Sequence, residues 1–432
     1  MISVWRETEL PRFPKLKDDV KTDVLIIGGG IAGILTAYFL QMNGIEYVLA
    51  EKSRICGGNT QNTTAKITAQ HGLIYDKLIR GCGEYTAKQY LRANLAALGT
   101  YAELCRGVDC GFETKDNFVY SADPRRLESE MQALSRLGYG AELCGKLPIP
   151  VKTAGAVKFP AQAQFDPLKF IAAVSKGLNI YEDTFVREMK GNTAVTDGGR
   201  IIADRVVCAT HFPFINKHGL YFLKLYQSRS YVTALENAPD FGGMYVDDED
   251  SGLSFRNYGG LLLLGGGGGR TGKRCGAWDE LRSFAGANWP EAREKYFWAA
   301  QDCMSLDSVP YIGRYGSRTA NFYVETGFNK WGMTGSMLAA MIISDSLAGR
   351  RNEFGEIFDP SRSILRPQLF INGAEALLNL LTPSKRVCPH MGCALKWNGA
   401  EHSWDCPCHG SRFSESGKLL DNPANGGLKP HR

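Results

Sequence analysis

An α/β fold is predicted for most of this 432-residue chain, with a separate metal-binding module near residue 400. Three observations predict it. An apolar run, a glycine turn and a helical stretch follow one another over residues 23–43. A middle region carries short alternating runs rich in Tyr and Phe. Four cysteines and three histidines crowd in or beside residues 388–411. The length exceeds one ordinary core and suggests two or three domains.

Hydrophobic residues at 44% and charged residues at 22% are the composition of a soluble globular protein. No stretch approaches the roughly 20 apolar residues of a transmembrane segment. The opening residues, with Arg6, Glu7 and Glu9, lack a signal-peptide core, so a cytoplasmic location is the default expectation. Net charge is +5, with cations scattered rather than striped, which argues against nucleic acid as a partner.

The first element is the run Asp23–Ile27, apolar almost throughout, as in a strand buried on both faces. Gly28, Gly30 and Gly33 follow with the spacing G-x-G-x-x-G, and Ile31–Asn43 then carries apolar residues at helical spacing up to Gly44. Tyr47–Ala50 is a second apolar run and ends at Glu51. This is a Rossmann-like β-turn-α-β unit. The first glycine permits the tight turn, the second lets a pyrophosphate approach the backbone, and the third packs helix on strand. Glu51, eighteen residues beyond Gly33, is placed to accept hydrogen bonds from a ribose. Further along, Gly265–Arg270 (G-G-G-G-G-R) lacks the Gly-Lys-Ser/Thr ending of a P-loop and is read as a turn. Thr326–Ser336 is a glycine-rich turn opening an apolar helix, Met337–Leu347, whose first N–H groups can stabilise negative charge.

The opening S-V-W-R-E-T, this fingerprint, and Gly57–Thr68 (G-G-N-T-Q-N-T-T-A-K-I-T) resemble the D-amino-acid-oxidase-like superfamily of FAD-dependent oxidoreductases. Val206–His211, Asp307–Gly313 and Thr326–Ser336 extend the resemblance to about residue 350. It implies FAD held by Gly28, Gly30, Ile31, Ala32, Gly33, Glu51, Lys52, Gly58, Thr64, Ala65, Val186, Ala209, Thr210, Gly332, Met333 and Thr334. It also implies that residues of about 71–160 and 212–310 form an antiparallel-sheet substrate domain interleaved with the nucleotide domain. Lys66 and Lys330 fall in segments expected near the cofactor and are the candidate catalytic residues. Tyr226, Arg229, Tyr231 and Arg256 are candidates for binding a substrate carboxylate. His211 reads as a structural histidine.

The C-terminal cluster begins with Cys388-x-His390 and, after fifteen residues, Cys406-x-x-His409. Each loop offers one thiolate and one imidazole. Residues 394–405, with Leu395, Trp397 and Trp404 around Asn398-Gly399, read as a hairpin that brings the loops together, with His402 on its surface. Structural zinc is an alternative occupant, although zinc fingers usually space their first pair more widely. The pattern resembles the Rieske family closely. The resemblance implies a [2Fe–2S] cluster on Cys388, His390, Cys406 and His409. It also implies a disulfide between Cys393 and Cys408, and a Ser411 hydroxyl bonded to a cluster sulfur. Phe413 stands where the high-potential members have tyrosine, so a lower potential is expected.

The whole then reads as a flavoprotein (1–365), a linker with a short helix at Ala374–Leu381 (366–383) and an all-β Rieske module (384–432). Flavins take two electrons at once and such clusters carry one, so the expected protein is an FAD-dependent dehydrogenase. The expected substrate is a small amine or amino acid, and electrons leave through the cluster to an external acceptor. The alternatives are a non-catalytic flavin/iron–sulfur electron carrier or redox sensor, against which the large substrate domain argues, and a direct oxidase.

Overall fold

The computed structural model describes residues 1–215, 219–249, 252–316 and 319–429. Val20–Ile27 is an inner strand of an eight-stranded sheet, with Tyr47–Ala50 on one side and Arg200–Cys208 on the other, both parallel to it. Beyond Arg200–Cys208 lie Phe322–Thr326, parallel, and then Tyr311–Arg314, antiparallel. Val24–Ile27 are buried without alternation, as a strand covered on both faces requires. The helices Ile31–Met42 and Gly332–Leu347 pack together on the sheet, and most of their side chains lie in the largest core.

The middle of the chain forms a nine-stranded sheet in the order 293–305, 225–236, 261–270, 254–258, 244–247, 113–121, 155–164 and 66–67, with 142–144 paired to 155–164. All its ladders are antiparallel except that of Met244–Asp247 with Glu113–Ser121, which is parallel. The segment Gly265–Gly269 is not a turn. It continues the strand Leu261–Arg270, paired with Leu225–Glu236 through a bulge at Arg229/Tyr231. The glycines are there for close approach: a Cβ on Gly268 would stand 2.3 Å from the Arg229 carbonyl oxygen.

The expected linker is mostly a 15-residue helix, Pro367–Leu381. Proline at its first turn is compatible with helix, and the Ala/Leu-rich remainder favours it. After it come four short antiparallel strands in sequence order, 396–398, 403–405, 412–414 and 419–421. The Asn398-Gly399 hairpin forms as expected, with Lys396–Asn398 paired to Ser403–Asp405 and His402 exposed at its tip. The module packs around Cys388, Cys393, Leu395, Cys406, Cys408 and Phe413.

Candidate cofactor sites around one cavity

A cavity of about 1710 Å³ opens where the carboxyl ends of the parallel strands meet the second sheet. Gly28, Gly30, Ile31, Ala32, Glu51, Lys52, Gly58, Thr64, Lys66, Val186, Ala209, Thr210, Lys330, Gly332 and Met333 all line it. The three glycines divide their work as their spacing predicts. A Cβ on Gly33 would fall 2.0 Å from the Gly28 carbonyl oxygen, and one on Gly28 would fall 2.6 Å from that of Ala209. Beside Gly30 only the Thr60 hydroxyl comes near, at 3.5 Å, so its backbone is open to a ligand. The Glu51 carboxylate accepts from the N–H groups of Gly29 (2.7 Å) and Ser53 (3.0 Å) at the end of its strand. This cradle fits a dinucleotide, and FAD would lie along it.

Gly33, Ala65 and Thr334 do not line the cavity, so they act from behind it. Gly33 sets helix against turn. The Ala65 carbonyl accepts from buried Arg256 (2.8 Å), and the Thr334 hydroxyl donates to the Thr68 carbonyl (3.2 Å). His71 escaped the sequence reading. It is buried against the cavity, stacked on Trp331 with ring centroids 5.0 Å apart, and bonded to Tyr90 Oη (2.6 Å), the Thr68 carbonyl and Thr334. Burial pulls its pKa down to about 3, so it is neutral and holds the turn before the helix Gly332–Leu347 in place. Glu325 also escaped. Its carboxyl takes the Thr36 hydroxyl (2.6 Å), and burial raises its pKa to about 8. Neither residue sits in a periodic pattern, so no sequence signal marked them.

Of the four carboxylate-binding candidates, Arg229 and Tyr231 line the cavity but are already bonded to an acid of the chain itself. Arg229 pairs with Glu401 of the C-terminal module (Nε–Oε1 2.9 Å), and Tyr231 Oη reaches the same carboxylate at 3.2 Å. Arg256 serves the carbonyls of Thr64 and Ala65 and, like Tyr226, lies outside the cavity lining. The Arg270 guanidinium stacks over the Tyr226 ring. His211 Nε2 donates to Gln227 Oε1 at 3.0 Å, and the residue also lines the cavity.

The C-terminal loops bring their chemistry together in pairs. The Cys388 and Cys406 thiols are hydrogen-bonded to each other, and the rings of His390 and His409 meet edge to face at 4.9 Å. Burial depresses both imidazoles, His390 to about 3 and His409 to about 4, so both are neutral, the state a metal requires. His409 Nε2 lies 3.0 Å from the Phe222 carbonyl, which can only accept, so the ring proton is on Nε2. His409 Nδ1 is then a bare lone pair, buried with no hydrogen-bond partner. A ligating histidine characteristically has this arrangement, with one nitrogen anchored to a carbonyl and the other left for the metal. The donor set fits a [2Fe–2S] cluster, which Cys388, His390, Cys406 and His409 would hold. The Ser411 hydroxyl bonds the Cys388 thiol.

The expected Cys393–Cys408 disulfide is not formed. Both cysteines are free, with the Cys393 thiol hydrogen-bonded to Cys406 and Cys408. The loops are tied in other ways. Ala394 N donates to the Asn379 carbonyl of the helix beneath (2.9 Å), and the Gly410 carbonyl accepts from Gln301 Nε2 of the second sheet (2.8 Å).

That second contact joins the two sites. Gln301 lines the cavity and touches the cluster loop at once, and Asn422 of the module donates to the Thr210 carbonyl (2.8 Å). Glu401, Arg412, Asp421 and Asn422 complete the cavity wall. Gly410, at φ +81°, lies so close to Gln227 that an added Cβ would stand 2.3 Å from its Cγ. Gly410→Ala is therefore expected to cost about 1–3 kcal/mol. It should also loosen the module, read as faster proteolysis in the 360–385 region with flavin content unchanged.

Comparison with known proteins finds two family models. A family model described as FAD dependent oxidoreductase (DAO) matches residues 23–346, and one described as Rieske [2Fe-2S] domain matches residues 381–432. A Bacillus subtilis (strain 168) protein, the Rieske 2Fe-2S iron-sulfur protein YhfW, is 34% identical over 99% of this chain and 96% of its own length. Among solved structures, glycine oxidase from Geobacillus kaustophilus superposes with a TM-score of 0.66 at 18% identity, over 80% of this chain and 100% of its own. L-proline dehydrogenase from P. horikoshii gives 0.65 at 17%, over 81% and 98%. At these identities the likeness is one of fold.

Proposed function

This chain belongs to the FAD-dependent oxidoreductase (DAO) family and carries a Rieske [2Fe–2S] domain, and from that premise we propose that it dehydrogenates a small amine or amino acid and delivers the electrons to an external acceptor. The observation that carries this reading is the shared cavity, walled by the nucleotide cradle on one side and by Glu401, Arg412 and Asn422 of the cluster module on the other. When bound, FAD supplies two-electron hydride chemistry and the cluster one-electron transfer. The cavity exceeds the usual 300–1,000 Å³ of a ligand pocket, leaving room for a substrate beside the cofactor. The fold neighbours named above as glycine oxidase and L-proline dehydrogenase support an amino-acid substrate class.

The chain's own residues have distinct tasks in this reading. Gly28 and Gly30 bring the backbone to the pyrophosphate, and His71 positions the turn on which Gly332 and Met333 sit. Lys66, when protonated, and Lys330 stand in the cavity wall beside the flavin. Gln301, fixed to the Gly410 carbonyl, keeps the cluster loop against the cavity wall. The C-terminal module excludes water from that side.

Anaerobic addition of amines and amino acids tests the proposal. Bleaching of flavin absorption followed by a reduced Rieske EPR signal supports it. Bleaching by a substrate without any cluster signal would overturn the electron route.

Lys66 gives a further expected result. Burial first, and Arg256 second, lower its ammonium to about 7, so it is charged mainly below that pH. A positive charge favours electrons arriving on the flavin. Lys66→Met is therefore expected to lower the flavin midpoint potential below pH 7 and to match the wild type above it, in potentiometric titrations across pH 6–9.

A further inference from the structure

The helix Pro367–Leu381 is amphipathic in the wrong sense for a helix packed on a globular protein. Its inward face carries Asn372 and Asn379, both 5% exposed, and Glu375, which is paired with Lys273. Its outward face carries Phe370, Ile371, Leu377, Leu378 and Leu381, with Phe370 70% and Leu381 72% exposed. At 3.6 residues per turn and 1.5 Å per residue, these side chains and Ala374 make an unbroken apolar half-cylinder about 17 Å long. Leu365 before the helix and Val387 and Met391 after it are also exposed. Single exposed leucines need no explanation, but a contiguous face of this kind marks an interaction surface.

We propose that this helix lies in the surface of an anionic lipid bilayer and sets the cluster module against it. Charge selects this occupant. Arg362 is spent on a buried pair with Asp307, so residues 361–396 offer four cations, Arg366, Lys385, Arg386 and Lys396, against one acid, Glu375, which is turned inward to Lys273. Arg366 stands at the start of the helix and Lys385 and Arg386 just past its end, so the apolar face is flanked by positive charge at both ends. That is the pattern of an interfacial helix. A second copy of this chain fits poorly. Antiparallel pairing would bring Arg366 against Lys385, and parallel pairing would oppose like with like, with no acid on the exposed face to neutralise either. The helix is also too short to span, and among the described residues no helix is long and apolar enough to cross a membrane.

The placement has a chemical point. Ala376 packs on the cluster module's core, and Asn379 O holds the loop of Cys393 and Ala394. The cluster site is thus about one helix diameter, on the order of 10 Å, from the proposed lipid surface. If the route to an external acceptor proposed above holds, that acceptor meets the cluster at the lipid surface. The docking itself does not depend on that route.

The test is co-sedimentation of the full holoprotein with vesicles. It should bind vesicles of phosphatidylcholine with phosphatidylglycerol at least tenfold more tightly than phosphatidylcholine alone, and release with added salt. The double variant Leu377→Asn/Leu381→Asn should lose at least tenfold in binding, and Lys385→Glu more than fivefold. Flavin absorbance and the cluster EPR signal should be unchanged in both, which certifies folding. No sedimentation with anionic vesicles, or equal binding by the leucine variant, would overturn the proposal. So would light scattering showing a dimer that the leucine variant converts to monomer, since the face would then belong to a second copy.

Discussion

Cys406→Ala is expected to purify with its flavin but with iron and acid-labile sulfide near zero, against about two of each per chain in the wild type. Cys406 is fully buried, bonded by its backbone to Ser411 and by its thiol to Cys388, so no water or neighbouring oxygen can replace the thiolate. The EPR signal of the reduced cluster should vanish with it. The loss reaches beyond spectroscopy. The core of the module is four cysteines with Leu395, Phe413 and Ala424, too small to stand alone, so cluster binding contributes directly to its folding. Thermal unfolding should split into an early module transition and a flavoprotein transition at its original temperature. Zinc in place of iron in the wild-type protein would sink this expectation.

Glu401→Ala should be nearly as severe, and for a different reason. Glu401 sits between Arg229 of the second sheet and Arg412 of the module, with all three side chains at most 7% exposed. Arg412 keeps Asp405 and Asp421 as partners when Glu401 is removed, whereas Arg229 loses its ion pair and keeps only the more distant charge of Asp421. Breaking a buried pair in this way costs about 3–5 kcal/mol. The pH dependence follows from the same geometry. Burial would raise the Glu401 carboxyl, but the two guanidiniums outweigh it and hold the pKa below its ordinary value. A depressed carboxylate contributes stability that is complete above the unfolded pKa, about 4.3, and is lost as pH falls through the lower folded value. Module docking, followed by protease sensitivity of residues 360–385, should therefore fail in the acid range below about pH 4 in the wild type. In Glu401→Ala the docking should already be weak at neutral pH.

What the sequence made legible and what it did not divide by range. The nucleotide cradle could be read because Gly28, Gly30, Gly33 and Glu51 do their work within one β-α-β unit. The cluster donors could be read because each loop carries its own cysteine and histidine. The Glu401 partner of Arg229 could not be read because it lies 172 residues away, and nothing local distinguishes an arginine awaiting a ligand from one already neutralised. Gly265–Gly269 was read as a turn because glycine is ambiguous between flexibility and close approach, and only the neighbouring Arg229 backbone decides between them. The helix Pro367–Leu381 was half seen, since Asn372 and Gly373 look like breakers until Asn372 is found bonded to Arg270.

The ladder of the nucleotide sheet bears on how this chain must be made. Ile27 finds Ala50 early, but its other neighbour, Cys208, follows nearly two hundred residues later, and Cys208 in turn waits for Val324. Pairings this distant in sequence slow folding, because the entropy of closing large loops comes before any contact rewards it. The cofactor cradle therefore cannot mature on a nascent chain until three quarters of it has left the ribosome. Until Arg200–Cys208 has been made, the strand Val20–Ile27 has an unpaired edge of Val, Leu and Ile, the kind of surface that chaperones bind and that aggregates grow from.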